Sequence, residues 1–153
     1  SLPRVSTTLA KQLALYVTIY SPLQMASDFI ENYDNHPEAF EFIKSVPVSW
    51  DTTIVLNGEI EQFLTIARKD RNSDNWYIGG ITNRESRKLQ FDLSFLDEGS
   101  YIARIYADGD LADWQSNPLD YKIFEKVVSK NELMTMKLAS GGGQAIELEK
   151  IKD

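Results

Sequence analysis

Three acidic side chains in the first part of the chain, Asp28, Glu31 and Asp34, are of a type that could do acid–base chemistry. Two carboxylates at a set separation can serve as the acid and the base of a hydrolytic reaction. Asp28 ends a short strand-like run, and the order helix, strand, long loop, helix is typical of the last part of a (β/α) barrel, whose chemistry lies at the carboxyl ends of its strands. Asp28 is therefore a candidate substrate-binding residue, although we favour a turn or capping role for it. The pattern assigns no catalytic residue.

A second candidate substrate-binding residue is Trp114, which lies in a polar stretch with weak periodicity that predicts a loop from Asp110 to Asp120. An exposed indole ring in such a loop could stack on a sugar ring. Trp50 and Trp76 instead lie beside apolar runs, where core packing is the usual role of a tryptophan. Trp114 is thus the tryptophan to which we assign a candidate binding role.

The composition excludes several other kinds of site. The chain of 153 residues has no cysteine, so thiol catalysis, disulfides and thiolate metal sites are excluded. Its single histidine, His36, precedes Pro37 at a predicted helix start, where capping or solvent exposure is the favoured role, and a zinc site with several histidine ligands is impossible. The formal net charge of −7 argues against nucleic acid or an anionic membrane as a partner. No apolar run is long enough to span a bilayer, and we assign no metal or cofactor site to this chain.

The elements that must position these residues begin with a helix predicted from Leu9 to Tyr20. Its apolar side chains cover almost the whole circumference, which is typical of a helix that is covered on more than one side. Two interpretations follow: a central helix that lies across a sheet, or a helix from the wall of a larger body. We favour the second, and therefore expect the isolated chain to self-associate. A second helix, which starts at Pro37, is predicted to take its apolar side from Phe40, Ile43 and Val46.

After Val48 the pattern changes to period two, which is typical of half-buried strands. Many short strands separated by regular turns favour a β-sandwich. The stretch from Asn75 to Gly109 is predicted to form an antiparallel meander of three strands with short turns. The predicted strands are Thr52–Leu56, Gln62–Lys69, Asn75–Thr82, Arg87–Ser94, Tyr101–Ala107, Tyr121–Val128, Leu133–Leu138 and Ala145–Glu149.

These patterns together predict a mainly β fold: an antiparallel β-sandwich of about eight strands, preceded by an α-β-α remnant of a (β/α)8 barrel. Residues 1–47 would form the C-terminal part of a truncated catalytic barrel, and residues 48–153 the sandwich domain.

An ordered series of short motifs carries a resemblance to a known family and covers nearly the whole chain. The motifs before the sandwich are Leu13–Val17, Ser21–Met25 with Asp28, Phe42-Ile43, Val46-Pro47 and Trp50-Asp51. Those within it are Ala67-Arg68, Asn75–Gly79, Thr82-Asn83, Leu93–Leu96, Tyr106–Gly109 and Leu138–Gly143. The series resembles the C-terminal segment of the enzymes of glycoside hydrolase family ninety-seven, which contains the end of the catalytic barrel and a C-terminal β-sandwich.

The resemblance implies a parent enzyme that is an exo-acting α-glucosidase or α-galactosidase, periplasmic or secreted, and often found in gut Bacteroidetes. Its catalytic carboxylates would lie on earlier barrel strands, with a calcium ion near the active site. The implied partners are the missing barrel and N-terminal domain, further copies of the chain, and the carbohydrate substrate of the parent. The choices between glucoside and galactoside, and between retention and inversion, stay open.

Three functions compete on this sequence. In the first, which we favour, the chain is the non-catalytic C-terminal segment of such a glycosidase, and its sandwich supports the barrel and joins subunits. In the second, the sandwich is a carbohydrate-binding module that uses Trp114. In the third, the chain is an independent hydrolase that uses Asp28, Glu31 and Asp34, but no positioned partner for these carboxylates is evident.

Overall fold

The computed structural model describes residues 7–19 and 36–152, which form two helices and eight strands. The helices are α1 (Leu9–Thr18) and α2 (Pro37–Ser45). The strands are β1 (Trp50–Glu59), β2 (Phe63–Asp70), β3 (Trp76–Thr82), β4 (Arg87–Asp92), β5 (Tyr101–Asp108), β6 (Tyr121–Val128), β7 (Leu133–Leu138) and β8 (Gly143–Lys150). The prediction of a mainly β, antiparallel fold with eight strands is confirmed, and β1 is the strand that extends furthest beyond its predicted bounds.

The strands pair in two antiparallel sheets. Six strands form one sheet in the order β1-β2-β3-β8-β5-β6, and β4 pairs with β7 in a second, two-stranded sheet. The predicted meander from Asn75 to Gly109 is therefore wrong, because β8 lies between β3 and β5 while β4 belongs to the other layer. Alternation identifies the buried face of a strand, but it does not identify the neighbouring strand.

The first hydrophobic core lies between the two sheets, on what we call the inner face of the six-stranded sheet. Ile78, Ile146 and Ile105 are opposite one another in the central strands β3, β8 and β5. They pack with Met134 and Met136 of β7, and all five side chains are buried. The predicted core role of the two methionines is confirmed.

The second core lies on the opposite side of the six-stranded sheet, which we call the helix face. The side chain of Thr8 caps α1 by accepting a hydrogen bond from the backbone N–H of Lys11 at 3.1 Å. Leu13 and Tyr16 are fully buried among residues of α2 and of the central strands. The sheet of this same chain therefore covers the apolar side of α1, as the alternative interpretation of a central helix that lies across a sheet predicts.

Two glycines allow α1 to lie so close to the sheet. A Cβ atom at Gly79 would lie 2.7 Å from the carbonyl oxygen of Ala14, and one at Gly143 would lie 2.6 Å from the Cα atom of Lys11. Contacts this short with backbone atoms would displace the helix. The position of α1 therefore requires glycine at both sites.

The buried side of α2 differs from the predicted one. Phe42, with Ala39, is buried against the helix face, and its ring centroid lies 4.9 Å from that of Tyr106. Phe40 is exposed, so its predicted place in the apolar side is wrong: helical geometry places position 42, not 40, on the buried side with 39 and 43. His36 is the N-cap residue of α2, where it is half-buried and makes no side-chain capping hydrogen bond, and its ring centroid lies 5.3 Å from that of Tyr121.

The predicted strand between the helices, at residues 23–28, lies outside the described residues. The α-β-α barrel remnant and the division at residues 47 and 48 therefore stay predictions. Among residues 7–19 and 36–152, no helix has the length and the apolar character needed to cross a bilayer.

Candidate functional site

The two candidate binding residues from the sequence have different outcomes. Asp28 lies outside the described residues, so its role stays a prediction. Trp114 is half-buried in the loop between β5 and β6, where its backbone N–H donates to the carbonyl of Ser140 at 3.1 Å. The guanidinium carbon of Arg84 lies 3.8 Å from the centroid of its indole ring. One face of the ring is thus already covered by a cation of the chain itself.

The other tryptophans have the predicted packing roles. Trp76 is buried in the inner core, and its ring centroid lies 4.7 Å from that of Phe95. Trp50 is half-buried against the helix-face core, with its ring 5.7 Å from that of Tyr77. Both rings thus pack against other aromatic side chains of the chain.

The carboxylates of the loop after β5 are occupied by the loop itself. Asp113 accepts hydrogen bonds from the backbone N–H groups of Gln115 and Ser116 at 2.8 and 3.0 Å, and Asp120 accepts one from Leu111 at 2.9 Å. These are the short-range bonds with which aspartate stabilises turns.

Because Asp113 and Asp120 each bond to their own neighbouring backbone, their carboxylates do not point toward a common site. Within the described parts of the chain, no group of three or more histidine or acidic side chains is arranged to hold a metal ion. The calcium ion that the resemblance implies near the active site of the parent enzyme has no such group of ligands among these described residues.

Asp108, at the end of β5 and within the Tyr106–Gly109 motif, is a buried carboxylate. Its Oδ2 accepts hydrogen bonds from the backbone N–H groups of Ala139 at 2.8 Å and Gly143 at 3.0 Å. Burial raises the pKa of Asp108, while a hydrogen bond from Thr8, the two backbone donors and the charge of Lys11 act in the opposite direction. Asp108 thereby connects the 139–143 turn to the start of α1, which is a structural role.

An ion pair is half-buried on the helix face. Arg104 Nη1 lies 2.6 Å from Glu147 Oε1, and Arg104 Nε lies 3.3 Å from Glu125 Oε1. The hydroxyl of Tyr77 donates to the carbonyl of Ser45 at 2.9 Å and lies 3.4 Å from Glu147 Oε2. Burial, followed by the charge of Glu147, raises the pKa of Tyr77. These polar groups attach the end of α2 to the sheet at one position.

An open apolar cavity of about 530 Å³ lies beside α1, above the β1–β2 end of the helix face. We call it the hairpin groove, and its walls include Val55, Ile60, Leu64, Ile81 and Lys11. The tip of the β1–β2 hairpin carries Ile60, whose surface is 90% exposed, and Val55 on β1 is 62% exposed. Apolar side chains this exposed around one cavity are typical of an interaction surface.

The hairpin groove is not predicted by the local patterns of the sequence. The signal that could have found it is Ile60 itself, which lies alone between Glu59 and Glu61 in a predicted turn. An isoleucine in an acidic turn has no core to enter. The other walls could not have been found, because Lys11 and Ile81 are far apart in sequence and meet only through the packing of α1 on the sheet.

The two edges of the six-stranded sheet are poor surfaces for strand pairing. Strand β1 has irregular register with β2 between Trp50 and Thr52 and again between Val55 and Asn57. Strand β6 carries Lys122 and Lys126. Bulges and edge lysines are features that protect an open edge from adding another strand.

These features define a class of protein: a β-sandwich domain with helices on one side, in which Asp108, Asp113 and Asp120 stabilise turns and in which exposed apolar side chains, Ile60 and Val55 among them, surround one groove. The chain belongs to the family described as glycosyl-hydrolase 97 C-terminal, oligomerisation, whose model matches residues 49–149.

Individual relatives agree with this assignment. A protein named retaining alpha-galactosidase from Bacteroides thetaiotaomicron is 38% identical over 147 residues, which are 96% of this chain and 22% of that protein. A glycoside hydrolase family 97 enzyme from Pseudoalteromonas sp. strain K8, solved in complex with acarbose, superposes with a TM-score of 0.89 at 40% identity, over 97% of this chain and 23% of that one. A beta-arabinopyranosidase with a TM-score of 0.67 and 21% identity, over 92% of this chain and 21% of that one, shares the fold. The chain thus spans between a fifth and a quarter of the length of these relatives.

Proposed function

We propose that this chain is the non-catalytic C-terminal domain of a glycoside hydrolase and that its activity is to join copies of the enzyme. The observation that carries this proposal is the match of residues 49–149 to a family described by oligomerisation. The exposed apolar groove beside α1 agrees with it, because a surface of this kind is stabilised when a partner covers it.

The parent enzyme that we propose is an α-glycosidase of the α-galactosidase type. Its support is the relative named retaining alpha-galactosidase, which aligns with 96% of this chain. The catalytic carboxylates, the calcium ion and the remaining barrel strands would then belong to the preceding part of the polypeptide, to which residues 1–47 contribute the barrel end. A periplasmic or secreted location and a carbohydrate substrate are part of the same proposal and rest on the family resemblance.

The alternative function, a carbohydrate-binding module that uses Trp114, has less support. The guanidinium group of Arg84 lies over one face of the indole ring, and the backbone of Trp114 is bonded to the 139–143 turn. A sugar would have to displace Arg84 or use the remaining face of a half-buried ring.

Two measurements on the isolated 153-residue chain test the proposed function. Sedimentation equilibrium over a wide concentration range should give a mass above that of the 17.4 kDa monomer. Incubation with aryl α-galactosides and aryl α-glucosides should give no turnover. A mass that stays at the monomer value would contradict the joining role, and turnover that is lost in Asp28→Ala would contradict the non-catalytic role.

A further inference from the structure

The tip of the β1–β2 hairpin is held in a fixed shape with Ile60 directed away from the chain. The backbone N–H of Gln62 donates to the carbonyl of Glu59 at 3.0 Å, and Glu61 has a φ of +63°, in the left-handed region that residues other than glycine rarely occupy. Asn83, the residue after β3, supports the tip: its backbone N–H donates to the carbonyl of Gln62 at 2.8 Å and its side chain to the carbonyl of Glu61 at 3.3 Å. A strained and supported turn that presents an isoleucine to solvent is a preorganised contact.

The groove next to this tip is of a size and polarity that suit such a side chain. Leu64 and Ile81, which are opposite each other in β2 and β3, form part of its floor. Val55 forms a wall from β1. Both a protruding apolar side chain and an apolar cavity are thus present on the same surface of one chain.

The charges at the two ends of the groove are opposite in sign. Lys11, on α1, lines one end, where its Nζ donates to the carbonyl of Thr82 at 2.8 Å. Glu59 and Glu61 line the hairpin end. A twofold rotation about an axis through the groove exchanges its ends, so that each Lys11 faces the carboxylates of the other copy.

We propose that the hairpin groove is the surface at which a second copy of this chain docks about a twofold axis, with Ile60 of each copy inserted into the groove of the other. This inference rests on the proposed joining function and specifies its surface. Because the interface is isologous, one set of residues supplies both the protruding side chain and the cavity. Pairing at the open edges of the large sheet is disfavoured by the bulges of β1 and the lysines of β6.

The first test compares two substitutions that add the same charge at two exposed apolar positions. Ile60→Glu places a carboxylate in the proposed interface, and Leu111→Glu places one in the loop after β5, where Leu111 is 78% exposed and does not line the groove. Sedimentation equilibrium should show the dimer dissociation constant raised at least about tenfold by Ile60→Glu and unchanged by Leu111→Glu. Circular dichroism melting should show both variants folded, because neither side chain contributes to a core.

The second test places a thiol at the same two positions. The chain has no cysteine, so Ile60→Cys and Leu111→Cys each contain a single thiol. A bismaleimide with a spacer long enough to span the groove from its hairpin end to its Lys11 end should cross-link Ile60→Cys into a covalent dimer at concentrations where Leu111→Cys stays monomeric, because the twofold arrangement places the two hairpin tips at opposite ends of one shared interface.

The outcomes separate this inference from the function on which it rests. A wild-type chain that is monomeric at all concentrations overturns both. A wild-type chain that associates while Ile60→Glu leaves its dissociation constant unchanged overturns the groove proposal alone. If Val127→Glu on β6, where Val127 is 60% exposed, dissociates the dimer instead, the interface lies at that edge and the groove proposal is again overturned.

Discussion

The two faces of the six-stranded sheet are built on different principles. The inner face is closed by β4 and β7 with an almost entirely apolar core, in which Ile78 and Ile146 are fully buried. The helix face mixes apolar side chains with the Arg104–Glu147 ion pair, and only its middle is covered by α1. Its β1–β2 end remains open as the hairpin groove.

This difference indicates that the inner face mainly stabilises the fold, whereas the helix face also determines which partner can bind. An apolar core is non-directional and tolerates alternative arrangements of its parts, whereas buried charges and close glycine contacts are satisfied in one geometry. The inner face can therefore stabilise the sandwich without deciding what else is attached to it. The helix face decides where α1 and α2 lie, and its uncovered end is the place at which a partner can be selected.

The largest expected effect is on the free energy of unfolding, and it tests whether the cores on the two faces of the sheet unfold together. Leu13→Ala on the helix face and Met136→Ala on the inner face should each reduce the free energy of unfolding by about 3 kcal/mol, since both side chains are fully buried. Leu111→Ala, at an exposed loop position, should change it by less than about 0.5 kcal/mol. Chemical denaturation followed by circular dichroism and tryptophan fluorescence measures all three. If Leu13→Ala left the main transition unmoved, α1 would be an appendage and the helix face would not be a second core.

An intermediate effect is expected at the ion pair of the helix face. Glu147→Gln should reduce the free energy of unfolding by about 1–2 kcal/mol, because the side chain is 11% exposed and Arg104 loses the closer of its two carboxylates. The value is below that of a fully buried pair, since the Arg104 side chain is 32% exposed. A double-mutant cycle with Arg104→Gln isolates the coupling between the two charges. Glu125→Gln, which removes the more distant carboxylate at 3.3 Å, is the matched control and should have a smaller effect.

The smallest effect concerns the pH dependence of Asp108, where α1 and the sheet meet. Burial raises the folded-state pKa of Asp108 above its ordinary value of about 4, so the folded state binds more protons than the unfolded state between these two pKa values. This contribution therefore makes the wild type more stable as the pH falls through that interval.

Asp108→Asn keeps an oxygen that can accept from Ala139 and Gly143 but cannot gain this proton. The stability of the wild type relative to Asp108→Asn should therefore increase as the pH falls from neutral to about 4. Urea denaturation of both proteins at several pH values measures the difference, in which the titration of other groups cancels. A difference that is constant, or that decreases on acidification, would show that Asp108 does not have a raised pKa.

Much of the fold could be predicted because the sandwich strands carry a local signal. In β4, Leu89 and Phe91 alternate with polar residues, and the structure buries this pair in the inner core. The same local signal does not predict the order of the strands in the sheet. Nothing in the sequence near β8 indicates that it enters between β3 and β5, because that position depends on pairing between residues far apart in the chain.

The candidate site could be predicted less well. Trp114 was identified by its residue type, but only the structure shows Arg84 over its ring. No local pattern identifies Asp108 as buried, because its burial follows from the approach of Thr8 and the 139–143 turn. The hairpin groove has walls on four separate elements, α1, β1, β2 and β3, so no single stretch of sequence contains it.

The sequence by itself determined the family, the strand content and the residues of the inner core, because side-chain alternation and ordered motifs are properties of neighbouring positions. Only the tertiary structure decided that α1 belongs to the same folded unit, and that its covering of the sheet ends short of β1 and β2. The physical reason is that the position of a helix depends on the surface that receives it. Here that surface includes two positions without side chains, Gly79 and Gly143, and one ion pair, Arg104–Glu147. The role of each of these residues depends on contacts with residues that are far away in the sequence.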